Sequence, residues 1–376
     1  MKRITIIFWC LSLCFFFNNL HMKAQGKQEK KIVAYIISDN VNDKFDEISA
    51  EKLTHINYAF ANIKDGKIIE GNPEDVERLK KINSLKEENP NLKILISVGG
   101  WTWSGGFSEA VATRTDRERF ANSGISFLQK HKIDGIDLDW EYPGLPGAGN
   151  PHMPEDKQNF TSILKLFRKK LDSLGKIDQR NYLLTIATAA TQEYLDNVEL
   201  DKIHPYLDFI NIMSYDYQGG WNDSTSHHTN LYVSETDPKD YKQSTLTAVK
   251  EHLAAGAPSE KIVVGMAFYG RGWHETENKN FGLHQKALGN AFSINYRDLK
   301  DSIETGKYKR HWDKEAKAPF LWREATGTFI TYDDPQSKKE KACYILDNNL
   351  GGAMFWQYHG DDGELLKTLY AELKKH

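Results

Sequence analysis

Apolar residues along the chain gather into short runs separated by segments of helical period. Runs at 31–37 (KIVAYII), 55–63 (HINYAFANI), 92–98 (LKILISV) and 136–141 (IDLDWE) predict strands, as do 182–189 (YLLTIATA), 209–215 (FINIMSY), 262–268 (IVVGMAF) and 352–357 (GAMFWQ). Amphipathic helical stretches lie between most of them, near 73–88, 116–131, 156–174 and 245–255, and a last one starts at Asp362. In 116–131, Phe120, Ile125 and Phe127 are among the apolar positions. Repeated strand–helix alternation with nearly continuous apolar strands predicts a parallel sheet covered by helices. Eight such units over 376 residues fit an α/β chain closed into a (β/α)8 barrel better than an open doubly wound sheet. No Gly-x-Gly-x-x-Gly opens a helix, which leaves a dinucleotide site unsupported. The stretch from Tyr269 to Cys343 breaks the rhythm, at about twice the length of the earlier units. Its short alternating runs at 292–296, 320–322 and 328–332 predict a small α+β insertion over 274–340, inside a barrel spanning 27–376.

The run at 136–141 differs from the others because apolar and acidic residues alternate strictly in it. Side chains on a strand point alternately to its two faces, so Asp137, Asp139 and Glu141 share one face while Ile136, Leu138 and Trp140 share the other. Stacked carboxylates repel, and burial penalises their charged forms, so at least one should keep its proton at neutral pH, as a general acid must. A solvated acidic face is the plain alternative, and a divalent cation site is another, although a straight strand does not readily converge oxygen ligands on a point. Like charges along one face destabilise an ordinary sheet. Tyr142-Pro143-Gly144 should end the strand abruptly with Glu141 at its C-terminal tip, where barrel chemistry sits.

A net charge of −3 without a basic tract argues against nucleic acid or an anionic membrane surface as partner. Nine Trp and seventeen Tyr are compatible with stacking sites for sugar rings, as well as with a core. At the N-terminus, Lys2 and Arg3 precede an apolar run from 4 to 17 and a polar stretch to 25, which reads as an export signal over 1–25 rather than a membrane span. Cleavage there would remove Cys10 and Cys14 and leave Cys343 alone. A secreted monomer without an internal disulfide or stable membrane association is then expected.

Asp134-Gly135-Ile136-Asp137-Leu138-Asp139-Trp140-Glu141 resembles in full the D-G-x-D-x-D-W-E motif of family 18 glycoside hydrolases, the chitinase family. Ser97-Val98-Gly99-Gly100 matches that family's S-x-G-G, and Met213-Ser214-Tyr215-Asp216 its M-x-Y-D, each at the tip of a predicted strand. The insertion before the last strand is also similar to one that a large subgroup of the family carries. The resemblance implies a retaining hydrolase of β-1,4-linked N-acetylglucosamine polymers, with chitin or its oligosaccharides as partner and no metal or organic cofactor. It implies Glu141 as acid, Asp139 orienting the substrate acetamido group, Asp137 sharing a proton with Asp139, and Tyr215 bonding the acetamido oxygen. Met213 and Asp216 would shape that pocket. Trp356 would lie under the sugar, lined by Tyr35, Phe60, Gly100, Trp101 and Tyr142. Tyr269 and Arg271 follow strand seven, where the family places a sugar-binding arginine; an arginine there could equally tie down the insertion. Gln218 and Gln357 depart from the His and Glu of many relatives. A non-catalytic chitin lectin, an endo-β-N-acetylglucosaminidase of glycoproteins and a peptidoglycan hydrolase are the rival readings.

Overall fold

The computed structural model describes residues 29–375, so the export signal expected at 1–25 lies outside the described residues. Eight parallel strands form its centre: β1 (Lys31–Ile37), β2 (His55–Lys64), β3 (Lys93–Gly99), β4 (Gly135–Asp139), β5 (Leu183–Ala189), β6 (Phe209–Met213), β7 (Ile262–Ala267) and β8 (Gly352–Trp356). Each pairs with its neighbour in sequence, and β1 pairs with both β2 and β8, which closes a (β/α)8 barrel. Alternate side chains enter the barrel, where Val33, Tyr35, Ala59, Phe209, Val263 and Met354 pack on one another. The intervening ones, among them Ile32, Ile56, Ile94, Ile136 and Ile210, face outward into the main core. That core takes in the apolar stripes of the surrounding helices, such as Phe120 and Leu128 of Arg114–His131 and Phe160, Leu164 and Phe167 of Asp156–Asp178.

The sequence runs overshoot four strands at their C-terminal ends. β4 stops at Asp139 instead of Glu141, β6 at Met213 instead of Tyr215, β7 at Ala267 instead of Phe268, and β8 at Trp356 instead of Gln357. Hydrophobic pattern continues past the point where the neighbouring strand stops offering a ladder partner, and the residues beyond it need other hydrogen bonds.

Between β7 and β8 lies a second, five-stranded antiparallel sheet in the order Ala291–Asn295, Tyr269–Trp273, Thr328–Thr331, Ala318–Arg323, Lys309–Asp313. It begins at Tyr269. One side joins the main core through Phe292, Ile294, Leu321 and Ile330. Trp273, Leu283, Phe320, Trp322 and Phe329 make a small core of their own on the other. Just past this sheet, buried Asp333 accepts hydrogen bonds from Lys338 (2.8 Å) and Lys341 (2.7 Å). Lys338 also donates to Ala267 O at the end of β7, and Lys341 to Thr229 Oγ1 beyond β6, each at 2.8 Å. At the opposite end of the barrel, Glu29 and Lys374 form an ion pair that brings the two ends of the described chain together. Cys343 is unpaired and exposed.

Candidate active site

The ladder register sets Ser97 beside Asp137 and Asp137 beside Thr185, so all three turn into the barrel. The Asp137 carboxylate accepts from Tyr35 Oη (2.7 Å), Ser97 Oγ (2.8 Å), Thr185 Oγ1 (2.5 Å) and Asn211 Nδ2 (3.4 Å). These donors come from β1, β3, β5 and β6, and the group is fully buried. Burial raises its pKa, and the hydrogen bonds from Thr185, Tyr35, Ser97 and Asn211 oppose the rise.

Asp139 is the last residue of β4 and is 4 % exposed. Burial pushes its pKa well up, and the charges of Glu141 and Asp137 push the same way. Its Oδ1 has no hydrogen-bond partner among the described residues. Glu141 is 8 % exposed, and burial raises its carboxyl to about 7; a hydrogen bond from Tyr142 opposes that, and the Asp216 charge adds to it. Two carboxyls whose environments favour the protonated form therefore sit two positions apart, consistent with the alternation of the sequence.

Among the described residues the Tyr215 hydroxyl reaches only a weak acceptor, Met354 Sδ, at 3.8 Å. Burial, then Asp139, hold it protonated. Asp216 turns the other way, with φ of +59°. It accepts the fork of Arg271, Nε at 2.8 Å and Nη2 at 2.7 Å, and the Tyr269 hydroxyl at 2.7 Å. His228 Nδ1 lies 3.6 Å from the same carboxylate. Despite burial, the nearby His228 imidazole and the Arg271 fork keep Asp216 ionised far below the usual carboxylate range. The Arg271 guanidinium thereby fastens the second sheet to the tip of β6.

Aromatic rings floor and rim the barrel mouth. Trp356 stacks on Phe60 (5.6 Å between centroids, 19° between planes) and leans against Tyr35 (5.9 Å). Gly100 has φ of +74°, and a Cβ there would lie 2.6 Å from the Phe60 ring, so glycine lets that ring approach the strand tip. Met213 packs half-buried on the inner cluster. Trp101 stands apart on the rim, 52 % exposed, meeting Tyr142 edge-on at 6.3 Å. Sequence reasoning passed over Trp221, which is 61 % exposed and lies 5.2 Å from the Arg271 guanidinium. An indole just after Gly219-Gly220, close behind the Met213–Asp216 motif, was the available signal. It also passed over Thr185 and Asn211, which are ordinary strand residues until the barrel closes.

A closed (β/α)8 barrel with proton-holding carboxyls at one strand tip, a phenol at another and an aromatic floor has the parts of a glycoside hydrolase. The chain belongs to the glycosyl hydrolases family 18, whose family model matches residues 31–361. It is 38 % identical to Chitinase A1 of Niallia circulans, over 93 % of this chain and 59 % of that protein. Chitotriosidase-1 of Mus musculus is 34 % identical, over 87 % of this chain and 73 % of that one. Among solved structures, a family 18 N-acetylglucosaminidase from Paenibacillus barengoltzii superposes with a TM-score of 0.85 at 40 % identity, covering 91 % of this chain and 99 % of that one. Chitinase ChiA74 from Bacillus thuringiensis gives 0.88 at 34 % identity, covering 92 % and 70 %.

Proposed function

We propose that this chain is a secreted, monomeric chitinase that cleaves β-1,4-linked N-acetylglucosamine polymers with retention, using the substrate's own acetamido group as nucleophile. The observation that carries this reading is the pairing of Glu141, whose carboxyl is held protonated up to about pH 7, with Asp139, whose buried Oδ1 lacks a partner among the described residues. Glu141 donates its proton to the glycosidic oxygen as the bond breaks. The acetamido oxygen closes on the anomeric carbon, giving an oxazolinium ion; Asp139 passes the proton that burial favours to Asp137, and its carboxylate then accepts the acetamido N–H and balances the new positive charge. The Tyr215 hydroxyl, whose partner among the described residues is the Met354 sulfur, is available to the acetamido oxygen. Asp137, held by four donors, acts on Asp139 through charge and a shared proton. Glu141 then takes a proton from the water that opens the ring. Trp356 with Phe60 supports the sugar at the cleavage point, and the rim tryptophans extend the groove. Met213 shapes the acetamido pocket, whereas Asp216, Tyr269 and Arg271 brace its wall.

Release of single N-acetylglucosamine units is a second reading, favoured by likeness to the Paenibacillus N-acetylglucosaminidase over almost its full length. Product analysis on chitohexaose separates the two, since dimers and trimers with β-anomeric ends mark a chitinase and monomers mark the alternative. A high-mannose glycopeptide run in parallel tests glycan release. Glu141→Gln is expected to remove nearly all turnover while oligomers still bind, and retained turnover rejects the assignment of the acid.

A further inference from the structure

Glu141 lies two residues beyond the last ladder pair of β4, so no neighbouring strand holds its backbone. Both of its main-chain groups are nevertheless satisfied by side chains from elsewhere. The Glu141 N–H donates to Ser104 Oγ at 2.9 Å. The Glu141 carbonyl accepts from Asn150 Nδ2 at 3.2 Å. Neither partner belongs to the motifs that carry the chemistry.

Each side chain also grips the loop after β3. Ser104 Oγ, fully buried, lies 2.8 Å from Gly100 O and 3.1 Å from Asp139 O, while the Gly100 N–H donates to Asp139 O at 2.8 Å. Asn150 Nδ2 is shared with Trp101 O at 3.2 Å. The approach is close: a Cβ on Gly147 would lie 2.2 Å from Glu141 O, so only glycine lets the 144–151 loop fold over that carbonyl. The acid's backbone is thus bolted at both ends to the segment that carries the exposed Trp101.

We propose that Ser104 and Asn150 are positioning residues that fix the main chain of the general acid and register it against the Trp101 loop. This rests on the reading of Glu141 as acid. A side chain projecting from an unpaired backbone segment wanders unless that segment is anchored, and misplacing a reacting group by about 1 Å costs on the order of a hundredfold in rate. Sugar stacked on Trp101 would then be felt at Glu141 through one amide group.

The test compares Asn150→Ala, Asn150→Asp and Ser104→Ala with the unaltered protein and with Glu141→Gln, on chitohexaose, together with thermal unfolding. Asn150 is partly exposed, so its variants should fold even where Ser104→Ala does not. Expected is a fall in kcat of roughly ten- to hundred-fold in both Asn150 variants, with KM within about twofold and an unchanged melting temperature. Asn150→Asp keeps the shape and loses the donor, so it should be no better than Asn150→Ala. Full kcat in both Asn150 variants, or a loss that only follows falling stability, overturns the proposal. If Glu141→Gln is inactive while Asn150→Ala is fully active, the positioning role alone fails; if Glu141→Gln stays active, the reading of the acid has failed first.

Discussion

Burial moves the Glu141 carboxyl from an ordinary 4.5 to about 7, and this links activity to stability. Below pH 4.5 both folded and unfolded chains carry this proton. Between 4.5 and 7 the folded chain holds it and the unfolded chain does not, so stability falls as pH rises across that window. Above about 7 the folded protein must keep a buried charge, at a cost of roughly 3 kcal/mol. Glu141→Gln removes the ionisation, so its melting temperature should exceed that of the unaltered protein at pH 8 and match it near pH 4.5, as differential scanning calorimetry would show. Turnover by the unaltered enzyme should decline as pH rises through about 7, because the acid loses its proton. The acids themselves were legible because alternation within 136–141 is a local pattern. Their partners were not. Asp137 draws its hydrogen bonds from residues 40 to 102 positions away in sequence, and only barrel closure gathers Tyr35, Ser97, Thr185 and Asn211 around it.

Among the elements, strands announce themselves as apolar runs because both faces are buried, and all eight barrel strands were visible in that way. Their C-terminal ends were not, since Trp140, Tyr215 and Phe268 continue an apolar pattern after the ladder has stopped. These overrun residues lie beside Glu141, Asp216 and Tyr269, so the sequence reading slipped where the chain leaves regular structure to build the site. The attachment of the second sheet was equally hidden, because nothing in the sequence marks the helix Pro335–Asp347 as buried on the barrel, and lysines are ordinarily solvent-facing. Lys338 and Lys341 instead lie fully buried on Asp333. Asp333→Asn would leave two buried ammonium groups without their counter-charge, and a loss of about 3–5 kcal/mol is expected, measured by denaturant unfolding at pH 7. A smaller loss would mean that the lysines find water or discharge. Burial already lowers Lys338 to about 8, although the Asp333 charge opposes the shift.

For the whole molecule, the count and alternation of elements sufficed to read a closed barrel, and an over-long stretch was enough to expect added structure before β8. What length could not reveal is that this structure starts at Tyr269 and reaches back through Arg271 to grip Asp216. Net charge is −3, and the polymer proposed as substrate is neutral, so long-range attraction has little part in binding. KM for chitohexaose should change less than about twofold between 0.05 and 0.5 M salt, and a steep dependence would point to a charged substrate instead. The meeting of Glu29 with Lys374 has a practical side. Both ends of the described chain lie beneath the barrel, at the foot of β1 and past the last helix, while the cleft opens at the strand tips above. A bead, a fluorophore or a partner module grafted at Glu29 or Lys374 would hang clear of the groove. A short linker across that gap would also let the chain be recut elsewhere as a circular permutant, with its sugar-facing mouth unobstructed.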